Sequence, residues 1–294
     1  MYDLRGKTAF VTGGDSGIGF GIAQALGEAG ATVVICGLVE ETLREAEERL
    51  ARTGEARAVT LDVRDRGAFA DVADLLDRDF GGVDVLVNNA GVGFLSSAAE
   101  ATFEQWDWVL DINLTGVYNG VRTFLPRMLA SGRPGHIVST ASIGGLLGAP
   151  GAVYSAAKAG VIGLMESLAV ELRDTDVKVS VVVPGITRTN IHHGPPPPGS
   201  APARTPGGAT EDALHAAAMD PREVGDRVLR AILDNRFYVV THPEHRELLS
   251  RRFEAILCSV PDEEPDPRRA TVERSILANP VYDDVVALAH RARS

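Results

Sequence analysis

Short, nearly continuous apolar runs alternate along the chain with longer stretches whose apolar residues recur at the helical period. The runs predict strands at Thr8–Val11, Thr32–Cys36, Ala58–Leu61, Val83–Val87, His136–Thr140, Val177–Val183 and Phe237–Thr241. The periodic stretches predict helices at Ile18–Ala29, Glu40–Ala51, Arg66–Asp79, Phe103–Leu129, Val153–Arg173 and Pro221–Asn235, with Pro126 near the end of the longest. Regular alternation of strand and helix builds a parallel sheet with helices on both faces. Strands that are apolar at every position, rather than every second one, are those covered on both sides. The expected architecture is a doubly wound α/β fold.

Two segments break the rhythm. Residues 190–220 hold Pro195–Pro198 and Gly207-Gly208, and the segment is too long for an ordinary connection. It reads as a substrate lid or a disordered excursion. A second break, PDEEPDP at Pro261–Pro267, lies within a C-terminal tail, residues 243–294, read as helical. There is no internal repeat, and residues 1–294 fit one large domain.

Composition narrows the partners. Hydrophobic residues make up 45%, ample for a core. With 29 basic against 40 acidic side chains the formal charge is −11, which repels nucleic-acid backbones and anionic membranes. Cys36, in VVIC, reads as a core residue, and with Cys258 makes neither a disulfide framework nor a metal cluster. MYDLRGKTAFVTGG lacks a signal-peptide pattern, and no apolar run approaches a membrane span, so a cytoplasmic enzyme is expected. His192-His193 in a Pro/Gly loop, and His242 and His245 at a strand–helix junction, read as solvated or capping residues rather than metal ligands. Trp106 and Trp108 read as helix packing or subunit contact.

Two local patterns carry chemistry. The first strand runs into Thr12-Gly13-Gly14-Asp15-Ser16-Gly17-Ile18-Gly19 and then a helix. Glycines there let the backbone approach a pyrophosphate, and the helix N-terminus offers N–H groups to its charge; a tight structural turn also favours glycine, and the spacing is not G-x-G-x-x-G. Tyr154 and Lys158, four apart on a helix, share a face. A tyrosine with a pKa of about 10 is a poor base near neutrality; a neighbouring ammonium favours the phenolate and makes it usable for proton transfer. A surface Tyr/Lys pair is the bland alternative.

TGGDSGIG resembles the TGxxxGxG turn of the short-chain dehydrogenase/reductase family. The family's other motifs follow in order: Asn88-Asn89-Ala90-Gly91 after the fourth strand, Asn113 in DINLTG, Ser142 after the fifth strand, Tyr154-x-x-x-Lys158 twelve residues on, and Pro184-Gly185 after the sixth. Together they span Leu4 to Asn190. The resemblance implies a seven-stranded Rossmann-like sheet binding NAD(H) or NADP(H), with Asn113, Ser142, Tyr154 and Lys158 as the catalytic set. By resemblance, Ser142 holds the substrate oxygen, Lys158 also holds the nicotinamide ribose, and Asn113 holds a water that relays the proton. Gly13, Asp15, Ser16, Gly17, Ile18 and Gly19 would form the cofactor turn. Asp62 with Val63 would contact the adenine, and Asn89, Ala90 and Gly91 would lie near the adenosine ribose. Pro184, Gly185, Ile186 and Thr189 would lie at the nicotinamide carboxamide. An acid at the end of the second strand selects NAD and a base NADP. Here Gly37-Leu38 gives neither sign, Ser16 stands where NADP enzymes often carry a base, and Asp15 and Glu40 oppose a phosphate. NAD is expected over NADP; a strong preference for NADP would implicate Arg64 or Arg44.

Gly93-Phe94-Leu95 and Ile143–Leu147 would supply apolar pocket walls, suiting a bulky hydrophobic alcohol or ketone. FYVVTHPEHRELLSRRFEAI, with SGRPGHIVS and YSAAKAG, resembles the branch that holds Cα-dehydrogenases of lignin-derived aryl ethers, which oxidise benzylic secondary alcohols. The family's habit implies a homodimer or homotetramer built on the helices within Phe103–Leu129 and Val153–Arg173. The rivals are a cofactor-binding sensor without turnover, against which the intact catalytic set argues, and an epimerase or dehydratase, disfavoured by the lack of a large C-terminal substrate domain.

Overall fold

The computed structural model describes residues 3–148, 150–191 and 216–291. Most of the 190–220 segment, including His192-His193, lies outside the described residues. Seven parallel strands form one sheet in the order β3-β2-β1-β4-β5-β6-β7. They are β1 (Thr8–Thr12), β2 (Thr32–Gly37), β3 (Ala56–Thr60), β4 (Val85–Asn88), β5 (Gly135–Thr140), β6 (Val177–Val183) and β7 (Tyr238–Val240). β1 lies between β2 and β4, with Val11 opposite Ile35 on one side and Val87 on the other. The strand order reverses there, which opens a crevice at the carboxyl ends of β1 and β4 where ligands of such sheets bind.

Both sheet faces are buried, as the continuous apolar runs require. Phe10, Val34, Leu86, Ile137 and Val181 point into one core, under α3 (Arg66–Phe80), α5 (Gly116–Ser131) and α7 (Ala152–Glu171). Their neighbours Val11, Val33, Val87, Val138 and Val182 point into the other, under α1 (Gly17–Glu28), α2 (Glu40–Leu50) and α8 (Pro221–Asp234). Local chemistry sets the helix ends. Asp65 caps α3 by accepting from the N–H groups of Gly67 and Ala68, and Gly81 ends it in the left-handed region. Asp220 caps α8 ahead of Pro221.

Three departures from the sequence pattern bear on the site. The stretch expected as one helix over Phe103–Leu129 is α4 (Phe103–Leu110), a wide π turn at Asp111–Thr115, and then α5. Ile143–Leu147, read as a pocket wall, is a short helix, α6, capped by Ser142. The third departure is α7, which is long and apolar enough to cross a membrane by length and composition, contrary to the sequence reading. In the fold its inner face, with Val161, Ile162, Met165 and Leu168, packs in the core. The tail forms α9 (His245–Leu257), beside α6, then α10 (Pro267–Leu277) and α11 (Pro280–Arg291), whose Val281 and Val285 return to the core near α7.

His136 ties β5, β6 and the start of β7 together. Its Nε2 lies 2.7 Å from Ser180 Oγ, which donates to Arg236 O at 2.6 Å. Burial, with Lys178 nearby, pushes the imidazole down to about 3. An unfolded histidine near 6.5 therefore binds a proton that the native one refuses, so this contribution is complete above about pH 6.5 and is lost as pH falls toward 3. Lowering the pH from about 7.5 to about 5 should remove on the order of 2 kcal/mol through this residue. Urea unfolding at both pH values should show a smaller loss for His136→Asn than for wild type; equal losses would refute it.

Candidate active site

The glycine turn is locked from below by its neighbours. Thr12 Oγ1 accepts from the N–H groups of Asn89 (2.9 Å) and Ala90 (3.0 Å). The Asn89 amide donates to Thr12 O (3.2 Å) and Gly13 O (3.3 Å) and accepts from Thr140 Oγ1 (3.2 Å). The ends of β1, β4 and β5 are thus tied through Asn89, whose side chain is engaged in the scaffold rather than free for a ribose. Gly13 has φ +60°, and a Cβ there would fall 2.9 Å from Ala90 Cα. Ser16, the N-cap of α1, makes no side-chain cap bond. The first N–H groups of α1 therefore remain available at the positive end of the helix, a fit for a pyrophosphate.

Ser142, Tyr154 and Lys158 converge beside this turn. Ser142 caps α6, accepting from Gly144 N–H at 3.2 Å, and its hydroxyl faces the Tyr154 phenol closely enough to favour the phenolate. Lys158 is 2% exposed; its Nζ donates to Thr140 O at 2.9 Å and lies 5.8 Å from the Tyr154 ring centre. Burial pushes the ammonium down to about 8. Burial also raises the Tyr154 phenol above its usual value, which the Ser142 hydrogen bond offsets only in part. Burial dominates the phenol's shift in this state, so the lowering expected from Lys158 is not seen; the lysine's donor points to the Thr140 carbonyl. Gly91 sits against both functional groups: a Cβ there would fall 2.7 Å from Asn113 Oδ1 and 3.4 Å from Lys158 Nζ.

Asn113, fully buried on the π turn, is occupied on both sides. Its Oδ1 accepts from Val92 N–H and its Nδ2 donates to Val92 O, each at 2.9 Å. This pins the segment after Gly91 to the widened turn. Phe94 packs with Val109 and with Val153, the residue before Tyr154, and Gly93 N–H donates to Ile191 O at 3.1 Å.

At the far end of the crevice Leu38 is 57% exposed. Asp15 lies over the end of β2: it accepts from Thr42 Oγ1 at 2.9 Å, and a Cβ on Gly37 would fall 2.8 Å from its Oδ1. Asp62 is held by a two-pronged pair with Arg64, at 3.0 and 2.6 Å, which lowers its pKa below the usual carboxylate value. Arg44 pairs with Glu48 at 3.1 Å. Thr189 meets the turn from above: a Cβ on Gly17 would fall 3.1 Å from its Cγ2. A polar cavity of about 500 Å³ opens beside this junction, bordered by Asp15, Ser16, Arg49, Arg188 and Thr189. A second hollow, about 290 Å³ between Val177, Phe237 and Val281, is at the opposite end of the sheet, remote from Tyr154. Among the described residues no group of three or more His, Cys, Asp or Glu side chains could hold a metal ion. Cys36 is fully buried, its thiol pushed up by desolvation, as its apolar setting predicted.

The short-chain dehydrogenase model matches residues 7–195. The chain belongs to the short-chain dehydrogenase family. It is 38% identical over 279 residues to the Cα-dehydrogenase of Sphingobium sp. strain SYK-6, covering 92% of each chain. The structure of LigD in its apo form, from the same strain, superposes with a TM-score of 0.76 at 36% identity, covering 89% of this chain and all of that one. A short-chain dehydrogenase/reductase from Burkholderia phymatum, solved in complex with NAD, superposes with a TM-score of 0.82 at 32% identity, over 90% and 99% of the two chains. As a short-chain dehydrogenase the protein is an NAD(P)-dependent oxidoreductase acting on CH–OH groups. The resemblance to the Cα-dehydrogenase branch, drawn from the tail and two internal segments, holds across nearly the whole chain.

Several residues of this dehydrogenase's site were missed or set aside in the sequence. Thr12 and Thr140 hold the turn and the lysine; Thr12 was visible as the first residue of the TGG motif, whereas Thr140, which holds Asn89 through its hydroxyl and Lys158 through its carbonyl, has no sequence signal. His242 and His245, set aside as solvated or capping residues, instead pack on the Pro184-Gly185 turn.

Proposed function

We propose that this short-chain dehydrogenase interconverts a bulky, hydrophobic or aromatic secondary alcohol and its ketone, with NAD preferred over NADP. The observation that carries the reading is the convergence of Ser142, Tyr154 and Lys158 beside a glycine turn whose helix N-terminus is uncapped by a side chain. A bound nicotinamide supplies the hydride acceptor or donor. Gly13, Ser16, Gly17, Ile18 and Gly19 would present backbone to its pyrophosphate. Leu38, Asp62, Val63, Ala90 and Gly91 would border the adenosine. Lys158 would hold the ribose, and Pro184, Gly185, Ile186 and Thr189 the carboxamide. Ser142 orients the substrate oxygen. In oxidation the Tyr154 phenolate takes the carbinol proton; in reduction the phenol returns it to the ketone oxygen. With the Asn113 amide engaged by Val92, main-chain groups of the π turn would hold a relay water.

Likeness to a Cα-dehydrogenase supports an aryl carbinol as substrate, and Phe94, Ile143, Leu146 and Leu147 offer apolar walls for it. Exposed Tyr118 and Leu129 on α5 and Val170 on α7 support assembly as a homodimer or homotetramer. A screen of secondary alcohols and ketones, following absorbance of reduced nicotinamide with each cofactor, tests the reading. Turnover of aryl carbinols is expected; activity confined to small polar alcohols would overturn the substrate class.

The cofactor preference rests on Asp15 over the end of β2 and on the engagement of Arg64 and Arg44 by Asp62 and Glu48. Both of the arginines considered for a 2′-phosphate, Arg64 and Arg44, are held by carboxylates, and Asp15 would repel such a phosphate. Leu38→Arg should therefore move the ratio of kcat/KM values toward NADP by about tenfold or more, a change of ~1.4 kcal/mol. A wild-type enzyme that already favours NADP would refute the assignment.

A further inference from the structure

The turn after β6 is held by one imidazole. Gly185 N–H donates to His242 Nδ1 at 3.1 Å, and His242 Nε2 lies 3.0 Å from Ile186 O. A carbonyl only accepts, so Nε2 carries the proton; a backbone N–H only donates, so Nδ1 carries a lone pair. Both contacts exist together only for the neutral ring in that one tautomer. The Thr241 hydroxyl, 2.8 Å from Nδ1, faces the same lone pair.

The surroundings hold the ring in place. Thr241 is buried, its N–H donates to Val183 O at 3.3 Å, and its carbonyl accepts from Arg227 on α8. The His245 ring stacks on His242 with centres 5.3 Å apart. A Cβ on Gly185 would fall 2.4 Å from His245 Cε1 and 2.9 Å from His242 Cγ, so the two rings close over the glycine. Ile186 O also accepts from Met219 N–H at 3.0 Å, and Arg188 N–H donates to Met219 O at 3.0 Å. The segment leading to Thr189 is thereby fixed from both sides before it meets the glycine turn at Gly17.

We propose that His242 is a positioning residue for the nicotinamide end of the cofactor site: its ring bridges Gly185 and Ile186 and sets where this backbone lies. The proposal rests on the reading above that Ile186 and Thr189 border the carboxamide. The groups facing the ring are His245 and Glu244 at the start of α9, and Arg227 with its neighbour Glu223 on α8, behind Thr241.

Three variants of the full chain separate the ring's two contacts. His242→Asn keeps an acceptor near Nδ1, His242→Gln keeps a donor near Nε2, and His242→Phe keeps the ring and loses both bonds. Two readouts are needed: hydrogen exchange of the Gly185 amide without cofactor, and NADH affinity by fluorescence. In His242→Phe the Gly185 amide should lose protection and NADH should bind about tenfold more weakly. His242→Gln should lose the protection too, since it lacks the acceptor. His242→Asn, which keeps the acceptor, should restore both the protection and the NADH affinity. If His242→Phe does not fold, the comparison of His242→Asn with His242→Gln decides. Unchanged Gly185 protection in His242→Phe, or protection no better in His242→Asn than in His242→Gln, would overturn the clamp. Lost protection with unchanged NADH affinity would show a real clamp on a turn that does not border the nicotinamide, and would fail the cofactor reading instead.

Discussion

Tyr154→Phe should lower turnover by about 10²-fold or more, the scale of general acid–base assistance, while NADH binds with near-native affinity. The substitution removes one oxygen and leaves the ring packed on α7, so a fall in turnover without a fall in binding isolates the proton-transfer role. The pH dependence sharpens the test. Burial raises the phenol above its usual value, and the Ser142 hydrogen bond opposes the rise only in part. Oxidation needs the phenolate, so its rate should climb with pH through and beyond neutrality; reduction needs the phenol and should hold across neutrality and fall only in the alkaline range. Lys158, pushed down to about 8, loses its charge above that point and with it its support for the phenolate. The oxidation profile should therefore flatten there rather than rise with constant slope. Rate profiles in both directions, for wild type and Tyr154→Phe, read this directly. A variant with near-wild-type turnover, or one that keeps both limbs, would sink the assignment of the proton donor.

Much of this was legible in the chain because a sheet covered on both faces must be apolar at consecutive positions. Val177–Val183 was read to its boundaries, and its residues do alternate between two cores. The edge strand was placed less well. β3 runs Ala56–Thr60 rather than Ala58–Leu61, since an edge strand with half-exposed and polar positions such as Arg57 loses the continuous apolar signal. The break at Asp111–Thr115 was hidden for a different reason. DINLT keeps helical periodicity, and what widens the turn is a tertiary demand, the pairing of the Asn113 amide with Val92 some twenty residues earlier. Tyr154 and Lys158 could be paired from their spacing alone. The direction of the phenol's shift could not, because it depends on how deeply the ring is buried. His242 shows the same limit. Its two partners are main-chain atoms more than fifty residues away, and no side-chain pattern announces them.

Gly19→Ala should weaken cofactor binding severely while leaving the sheet intact. A Cβ at position 19 would fall 2.0 Å from Gly13 O and 2.4 Å from Asn89 Nδ2. Neither neighbour can yield cheaply. Gly13 O is main chain in a turn with positive φ, and the Asn89 amide is fixed by Thr12 O, Gly13 O and Thr140 Oγ1. The methyl must therefore displace the turn itself, moving away the backbone that faces the pyrophosphate. Overpacking of this kind costs about 1–3 kcal/mol of stability, a loss the fold survives. A displaced cradle should weaken NADH binding by about 10²-fold or more, ~3 kcal/mol. Gly27→Ala is the matched control on the same helix: its Cβ would meet only Val33 Cγ2, at 3.5 Å, an ordinary contact. That variant should bind NADH like wild type. Titrating NADH fluorescence against both variants, with thermal unfolding to confirm that each is folded, gives the comparison. Native affinity in Gly19→Ala would mean that the turn adapts or that the pyrophosphate lies elsewhere, and the glycine cradle would have to be given up as the cofactor site.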